Sequence, residues 1–236
     1  FSHLLVESYK RIQYAGFSEY LLQASINTLT LASIATFITI LVGFFIVSAA
    51  RFSRTTWFSR ISSLGYAIPG TVLAIGLMLS LGALDHAVAD FFEFQLGIST
   101  GLLFLGTSFT LIYVYAVRFL AISIGSIESG YNRIHAVLDD AACNLGQNKR
   151  DILWRVHFPL LRPAIISAAL LIFVDCMKEL PATLLLRPLN METLATQLYA
   201  EASRGTYEDG AIAALLIVLV GLIPVILLAR MSKNSR

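Results

Sequence analysis

Three ionisable residues close to one another end an otherwise apolar stretch of the sequence. Asp175, Lys178 and Glu179 follow the charge-free residues 163–174, and their spacing of i, i+3 and i+4 would place them on one face of a helix. Ionisable groups inside a membrane usually face the bundle interior or a water-filled path, because exposure to lipid costs several kcal/mol. The two carboxylates are therefore candidate oxygen ligands on a translocation path for a hard cation. The alternative is helix packing, with Lys178 neutralising one acid.

The composition places these residues in a membrane protein. Of the 236 residues, 57% are hydrophobic and 14% are charged, whereas an ordinary soluble domain has roughly 25% charged residues. The net charge of +2 is too small to indicate a nucleic-acid partner. Cys143 and Cys176 lack the spacing of a metal or redox site, and the histidines are scattered over different segments, so no metal site is predicted. The histidines are His3, His86, His135 and His157.

Five stretches are apolar enough to cross a bilayer, which takes about 20 residues. Four contain no charged residue, and the fifth begins after Arg162 and stops at Pro181, a residue that disfavours helix continuation. The sequence therefore predicts an all-α polytopic membrane protein with five core transmembrane helices. The predicted spans are 25–50, 61–84, 94–117, 163–180 and 210–229, with 128–160 as a loop.

The basic residues fall mostly on one side of these spans. That side carries Arg51, Arg54, Arg60, Arg118, Arg133, Lys149, Arg150, Arg155, Arg162, Arg230, Lys233 and Arg236. The opposite side carries Lys10, Arg11, Lys178, Arg187 and Arg204. No Lys or Arg lies in the loop predicted around Asp85, Asp90 and Glu93. Because cytoplasmic loops are enriched in Lys and Arg, the N-terminus is predicted outside, and the C-terminus and the loop 128–160 in the cytoplasm.

The predicted cytoplasmic loop contains a charged segment, DDAACNLGQNKRDILWRVHFP, at positions 139–159. Apolar periodicity predicts a short helix over 131–145, a turn at Gly146 and a second helical stretch over 147–156. Two short helices that meet at a glycine would form a compact elbow, residues 131–159, suited to docking. A solvated loop that only stays outside the bilayer is equally compatible with the composition.

The spacing within the elbow resembles a known signature. The elbow contains Asp-Ala-Ala, followed after three residues by Gly and after nine more by Val-His-Phe-Pro. This order and spacing resemble the Glu-Ala-Ala, Gly, Ile-x-Leu-Pro signature of ABC importer permeases. In that family the loop forms a coupling helix that sits in a cleft of the ATPase subunit. The matching positions here are Asp140, Ala141, Ala142, Gly146, Val156 and Pro159. Asp140 is one methylene shorter than the usual Glu, which would shorten or loosen a salt bridge to the ATPase.

The resemblance extends beyond the elbow. It is carried by the stretches SLGYAIPGTVLAIGL (63–77), MKELPATLLLRPLNMETLAT (177–196) and ALLIVLVGLIPVILLAR (214–230), which look like the second half of bacterial ferric-iron permeases. This resemblance implies a type I importer permease of the MetI-like fold in the bacterial inner membrane. The chain begins at Phe1 and holds one coupling loop, so it is expected to be the C-terminal half of a two-repeat permease.

The same resemblance implies the partners and the solute. ATP would be used by separate ABC ATPase subunits, and this chain, which has no Gly-x-x-x-x-Gly-Lys-Ser/Thr stretch, would bind no cofactor. A periplasmic binding protein would deliver ferric iron, and a homologous N-terminal permease half or a second permease subunit would complete the path within membrane lipid. Related importers carry thiamine, phosphonates or oxyanions. An anion carrier would more naturally place basic residues or helix N-termini at the site.

Other function classes fit the sequence less well. A membrane-embedded enzyme would need paired acids, a histidine cluster or a nucleophile with its base deep in the spans, and only Asp175 and Glu179 remotely qualify. A channel is not indicated, because the spans lack a selectivity-filter motif.

Two further features concern movement and the outer surface. Pro69 and Gly70, within the second predicted span, are a candidate hinge for alternating access, with close helix packing as the alternative. Residues 191–202 combine apolar and polar types in a pattern that predicts an amphipathic helix on the outer face. That helix would contact the binding protein or cover the gate.

The orientation can be tested with two introduced cysteines. In a chain whose native cysteines are replaced by serine, a cysteine at Glu93 should react with a membrane-impermeant thiol reagent in intact cells, whereas one at Gln147 should not. Labelling is measured on the purified chain, and permeabilised cells, in which both positions should react, are the control. Labelling at Gln147 in intact cells would contradict the predicted layout.

Overall fold

The computed structural model describes residues 6, 9, 10, 13, 18–53, 67–97 and 101–234. Within these residues the chain is helical and contains no β-strand, so the all-α prediction is confirmed. The helices are α1 (Glu19–Ser53), α2 (Gly70–Leu96), α3 (Ser108–Tyr131), α4 (Ala136–Asn144), α5 (Lys149–Ile152), α6 (Phe158–Met177), α7 (Pro181–Leu186), α8 (Leu194–Arg204) and α9 (Tyr207–Asn234). A π-helical turn, Leu153–His157, joins α5 to α6.

Four helical stretches in the described part of the chain are long and apolar enough to cross a membrane. They are Glu19–Ser53, Gly70–Gln95, Ser108–Tyr131 and Lys149–Met177. In α9 the described apolar stretch, Asp209–Ile223, is shorter, so the predicted count of five core spans is not confirmed. Two parts of the predicted spans, residues 61–66 and 98–100, lie outside the described residues.

The second and third helices are displaced along the sequence from the predicted spans. Helix α2 continues to Leu96 instead of ending at position 84, and α3 begins at Ser108 instead of position 94. Asp85, Asp90 and Glu93, predicted in a loop, are therefore part of α2. A search for charge-free windows ends a span at the first carboxylate, although a helix can continue through a carboxylate that is hydrogen-bonded.

The core forms where α1, α3 and α6 pack together. Small residues bring these helices close. A Cβ on Gly43 of α1 would lie 2.1 Å from Ser123 Oγ of α3, and one on Gly130 of α3 would lie 2.8 Å from Ala164 Cβ of α6. The three helices therefore form a tightly packed body. Helix α2 contacts α3 and α7. Helices α8 and α9 pack against each other, and in addition α8 packs against α1 and α9 packs against α6.

Asp85 holds the connection between α2 and α3. Its side chain is buried, and its carboxylate accepts hydrogen bonds from three successive backbone N–H groups. The N···O distances are 2.9 Å from Leu103, 2.9 Å from Phe104 and 2.8 Å from Leu105. The turn that follows uses Gly106 at φ +74°, a left-handed conformation that glycine adopts without strain. The connection therefore folds back onto α2 with its buried charge paired.

Replacing Asp85 should destabilise the folded chain, because three backbone N–H groups would lose a charged acceptor. Hydrogen bonds to charged groups contribute about 1.5–3 kcal/mol each, so Asp85→Ala should lower the free energy of unfolding by roughly 3 kcal/mol or more. Asp85→Asn should lose less, since its amide oxygen still accepts. The midpoint of thermal unfolding in detergent measures the effect.

The matched control for this prediction is Asp90→Ala, because Asp90 is an exposed carboxylate on the same helix. Its substitution should leave the unfolding midpoint within the range of ordinary surface changes. Equal midpoints for Asp85→Ala and Asp90→Ala would contradict the role assigned to Asp85.

Candidate functional site

The elbow consists of two short helical segments joined at Gly146. Helix α4 runs from Ala136 to Asn144, and α5 begins at Lys149, one residue after Asn148, whose side chain accepts a hydrogen bond from the backbone N–H of Asp151 at 3.0 Å. The first helix is shorter than the predicted 131–145, because α3 extends to Tyr131 and a turn precedes α4. The second continues through the π-helical turn into α6.

Gly146 is placed where the chain reverses between α4 and α5. Its φ is +78°, which favours glycine, and no heavy atom lies within 4 Å of the position that a Cβ would take. The glycine is therefore required by the backbone conformation and not by close packing. The other signature residues lie in the same segment, with Val156 partly buried in the π-helical turn and Pro159 exposed in the first turn of α6.

Most apolar residues of α4 are exposed, including Leu138 at 44%. Val137 and Leu145 are 71% and 81% exposed, and they flank the exposed Ala141 at i−4 and i+4. We call these three residues the outer stripe. Ala142, in contrast, is buried within the chain. The exposed Asp140 directly precedes Ala141 in the sequence, and the Ala-Ala pair has one exposed and one buried residue.

A buried polar network anchors the elbow to the end of α1. The Asp139 carboxylate lies 3.1 Å from Arg51 Nε and accepts a 2.7 Å hydrogen bond from His157 Nε2. His157 is fully buried. Its other nitrogen, Nδ1, lies 3.3 Å from the Tyr131 hydroxyl, which in turn lies 2.9 Å from Ser48 Oγ. The network therefore joins α4, the start of α6 and the last turns of α1 and α3.

The backbone and the aromatic rings complete this anchor. Arg51 Nη2 donates a 3.2 Å hydrogen bond to the carbonyl oxygen of Ile134, in the turn before α4. The Phe52 ring stacks on His157 with centroids 5.5 Å apart. Sequence reasoning did not identify Asp139 and His157 as a pair, because these residues lie 18 positions apart on the two arms of the elbow and periodicity does not give the relative position of the arms. Their shared neighbour Arg51 is 88 residues before Asp139.

The second cluster contains the ionisable residues at the end of α6. Helix α6 ends at Met177, Lys178 is its C-cap, and Glu179 precedes α7. The predicted common helix face of Asp175 and Glu179 is therefore interrupted. Asp175 pairs with Lys178 at 2.8 Å, while Glu179 is buried and its Oε2 lies 3.4 Å from Arg118 Nε on α3. Arg118, predicted at a cytoplasmic helix end, is within α3 instead.

Gly70 packs directly against the Arg118–Glu179 pair. A Cβ on Gly70 would lie 1.9 Å from Arg118 Nη1 and 2.9 Å from Glu179 Oε1. Pro69 is the N-cap of α2 and Gly70 its first residue, so the two residues stand at the start of a helix and not at a kink within one. The candidate hinge at Pro69 and Gly70 stays a prediction.

The predicted amphipathic helix is present as α8, Leu194–Arg204, close to the predicted 191–202. Its N-terminus is closed by a capping box, in which Thr193 and Thr196 exchange side-chain to backbone hydrogen bonds. The backbone N–H of Leu194 donates to Thr28 Oγ1 at 2.8 Å, which fixes α8 against α1. Among the described residues, no group of three or more His, Cys, Asp or Glu side chains is arranged to hold a metal ion.

Curated proteins of similar sequence belong to transport systems. The chain is 28% identical over 224 residues to "Fe(3+)-transport system permease protein FbpB 2" of Haemophilus influenzae, covering 93% of this chain and 41% of that protein. It is 26% identical over 214 residues to "Putative 2-aminoethylphosphonate transport system permease protein PhnV" of Salmonella typhimurium, covering 89% and 75%. The chain thus spans less than half of the iron relative. No family model matches it.

Two solved structures have the same fold. A bacterial alginate ABC transporter in complex with its periplasmic protein matches with a TM-score of 0.70 at 18% identity, over 99% of this chain and 88% of that one. The MetNI methionine ABC transporter, in inward-facing conformations, matches with a TM-score of 0.65 at 16% identity, over 93% and 100%. The relatives are named as permease proteins of transport systems, which agrees with a transporter subunit and not an enzyme. The predicted resemblance is thereby confirmed: in sequence and in fold, the chain is similar to the permeases of ABC importers.

Proposed function

We propose that the chain is a transmembrane permease part of an ABC importer that takes up ferric iron delivered by a periplasmic binding protein, with the elbow as its ATPase contact. The outer stripe carries this proposal. A charged, non-spanning segment exposes Val137, Ala141 and Leu145 in one row although it has buried anchors elsewhere. An exposed apolar row of this kind indicates a partner.

The chemistry of the elbow suits an ATPase cleft. Val137 and Leu145 supply apolar area, Ala141 between them lets a partner backbone approach closely, and Asp140 supplies a charge at the rim. Trp154, 45% exposed in the π-helical turn, adds an aromatic side chain of the type enriched at interfaces. ATP would be bound and hydrolysed by the partner, and this chain would bind no cofactor.

The anchor explains how such a contact would act on the membrane helices. Asp139 and His157 attach both arms of the elbow to Arg51, Tyr131 and the end of α1. A push on the outer stripe would therefore displace the body of α1, α3 and α6 as a unit, because the elbow cannot rotate freely about Gly146. A homologous permease half or a second permease subunit would move against this body in the inner membrane, and α8 would contact the binding protein.

A charge on the outer stripe should release the ATPase without unfolding the chain. Ala141→Glu buries a carboxylate at the proposed contact, whereas Ala142→Glu buries one inside the chain. We expect Ala141→Glu to abolish co-purification of the ATPase and leave the unfolding midpoint unchanged. Ala142→Glu should lower the midpoint. Normal ATPase recovery and transport in Ala141→Glu would remove the coupling role from the elbow.

The turn itself can be tested at Gly146. A β-branched residue at φ +78° costs roughly 1–3 kcal/mol, so Gly146→Val should alter the elbow and uncouple ATP hydrolysis from transport while the chain still inserts. Gly146→Asn is the matched control, because Asn tolerates the left-handed conformation better than Val. Equal coupled transport by both variants would show that the turn is not required.

The iron proposal rests on the iron-transport relatives and on oxygen ligands near the end of α6. Asp175 is paired with Lys178, and its own side chain is 20% exposed, so a cation would have to compete with Lys178 for this carboxylate. Glu179 is less available, because Arg118 is beside it. A phosphonate is the second candidate, supported by the PhnV relatives and by Arg118, whose buried Nε and Nη1 have no hydrogen-bond acceptor and adjoin the start of α2.

Uptake by the reconstituted full transporter decides between the two solutes. Wild type should accumulate radiolabelled ferric iron and not labelled 2-aminoethylphosphonate. Asp175→Asn should reduce iron uptake about tenfold, which corresponds to the loss of one charged contact of ~1.4 kcal/mol. Asp90→Asn, on an exposed carboxylate of α2, is the control.

Two outcomes would change this assignment. Uptake of 2-aminoethylphosphonate but not of ferric iron would show that the proposed solute is wrong. Iron uptake that is unaffected by both Asp175→Asn and Glu179→Gln would leave these carboxylates with a packing role alone.

A further inference from the structure

We propose that Arg118, Glu179 and Gly70 form a latch that holds α2 against the body of α1, α3 and α6 in the resting permease and opens when the transporter changes state. Arg118 is a positioning residue in this proposal, and its part in the latch requires no contact with the solute. The inference goes beyond the proposed function, on which it rests only for the idea that a permease has more than one conformational state.

The latch lies where three structural elements meet. Arg118 is in the middle of α3, Glu179 is in the break between α6 and α7, and Gly70 is the first residue of α2. The Arg118 and Glu179 side chains are 20% and 7% exposed, with 3.4 Å between Nε and Oε2. A change in the position of α2 must therefore be accommodated at this ion pair.

The hydrogen bonding of the latch is incomplete on the arginine side. Glu179 Oε1 accepts from the backbone N–H of Ala182 at 3.3 Å, but Arg118 Nε and Nη1 are buried without a hydrogen-bond acceptor among the described residues. A buried ion pair balances its desolvation cost only when its remaining hydrogen-bonding groups are satisfied. Unsatisfied buried donors call for an explanation, such as stored strain. A second conformational state in which Arg118 gains hydrogen-bond acceptors would explain these unsatisfied donors.

The glutamate side of the latch is fixed to α3. Thr183 Oγ1 donates to the carbonyl oxygen of Glu179 at 2.6 Å, and the Tyr115 hydroxyl hydrogen-bonds to Thr183. Tyr115 and Thr183 are both buried. The segment that carries Glu179 therefore stays with α3, and α2 is the element that can move relative to the pair.

Helix α2 is buried within this chain to a smaller extent than α1 and α3. In its apolar window 11% of the residues are buried, against 44% in each of α1 and α3. Its Ala74 nevertheless belongs to the buried cluster that contains Cys176 and Met177 at the end of α6. Displacement of α2 would uncover this cluster, so the native Cys176 thiol, buried in the resting structure, reports on the latch.

The test compares a neutralised latch with its single variants. Arg118→Met leaves a buried carboxylate and Glu179→Gln leaves a buried guanidinium, so each should lower the unfolding midpoint. The double variant, Arg118→Met with Glu179→Gln, removes both charges and should recover the midpoint. Its Cys176, in a chain with Cys143→Ser, should nevertheless react with N-ethylmaleimide at least about threefold faster than in the parent, because α2 is no longer held in one state.

Glycine substitutions on one helix provide a matched pair. Gly70→Ala would place a methyl group 1.9 Å from Arg118 Nη1, whereas a Cβ on Gly76 would have no heavy atom within 4 Å. Gly70→Ala should therefore accelerate Cys176 labelling and Gly76→Ala should not. A double variant with the parent's midpoint and labelling rate would overturn the latch and leave a static packing pair.

The assembled transporter gives a second readout. With the binding protein and the solute both omitted, the double variant should raise basal ATP hydrolysis at least about threefold. An unchanged basal rate together with unchanged Cys176 labelling contradicts the latch. Failure of the proposed function is seen separately, as a wild-type chain that does not co-purify with an ATPase, and the labelling test does not depend on that result.

Discussion

The contact between Asp139 and His157 is the constraint on which the elbow depends. A carboxylate only accepts hydrogen bonds, so at 2.7 Å His157 Nε2 donates to Asp139, and Nδ1 on the other side of the ring lies 3.3 Å from the Tyr131 hydroxyl. The fully buried ring is thus fixed at both nitrogens. Arg51 on the same carboxylate attaches the pair to α1. Without this contact, α4 would keep the turn from α3, the hydrogen bond from Arg51 to Ile134 and the buried Ala142 as its links to the body.

A low-dielectric interior explains why the buried charges of this chain are found beside partners. Asp85 accepts three backbone N–H groups, and Glu179 lies beside Arg118. Asp85 and Arg118 misled the search for charge-free windows, which ended the predicted spans at positions 84 and 117 because it assumes that a charge ends a span. The physical requirement is different: a charge is tolerated in a helix when a partner reduces its desolvation cost. The partner of Asp85 is a stretch of backbone, and no residue type in the sequence indicates it.

Local features of the sequence predicted local structure well. The turn at Gly146, the two short helices around it and the amphipathic α8 follow from periodicity and from glycine, which act over a few residues. The fold class followed from composition, and the importer resemblance from the signature spacing. What the sequence could not provide was pairing across distance. Residue types suggested that Asp175 and Glu179 act together, yet the end of α6 at Met177 separates them, and Arg118 becomes the partner of Glu179.

Helix α3 links the two polar clusters. Tyr131 at its end belongs to the network that anchors the elbow, and Arg118, roughly 20 Å away along the same helix, belongs to the latch. Between them, Ser123 packs closely on α1, and beside Tyr131 the close approach of Gly130 to α6 resists sliding of these helices. Because packed helices move as rigid elements more readily than they deform, displacement of the elbow would reach Arg118 largely undiminished. The ion pair there has unsatisfied donors, so it is a place where such a displacement can change the structure at low cost.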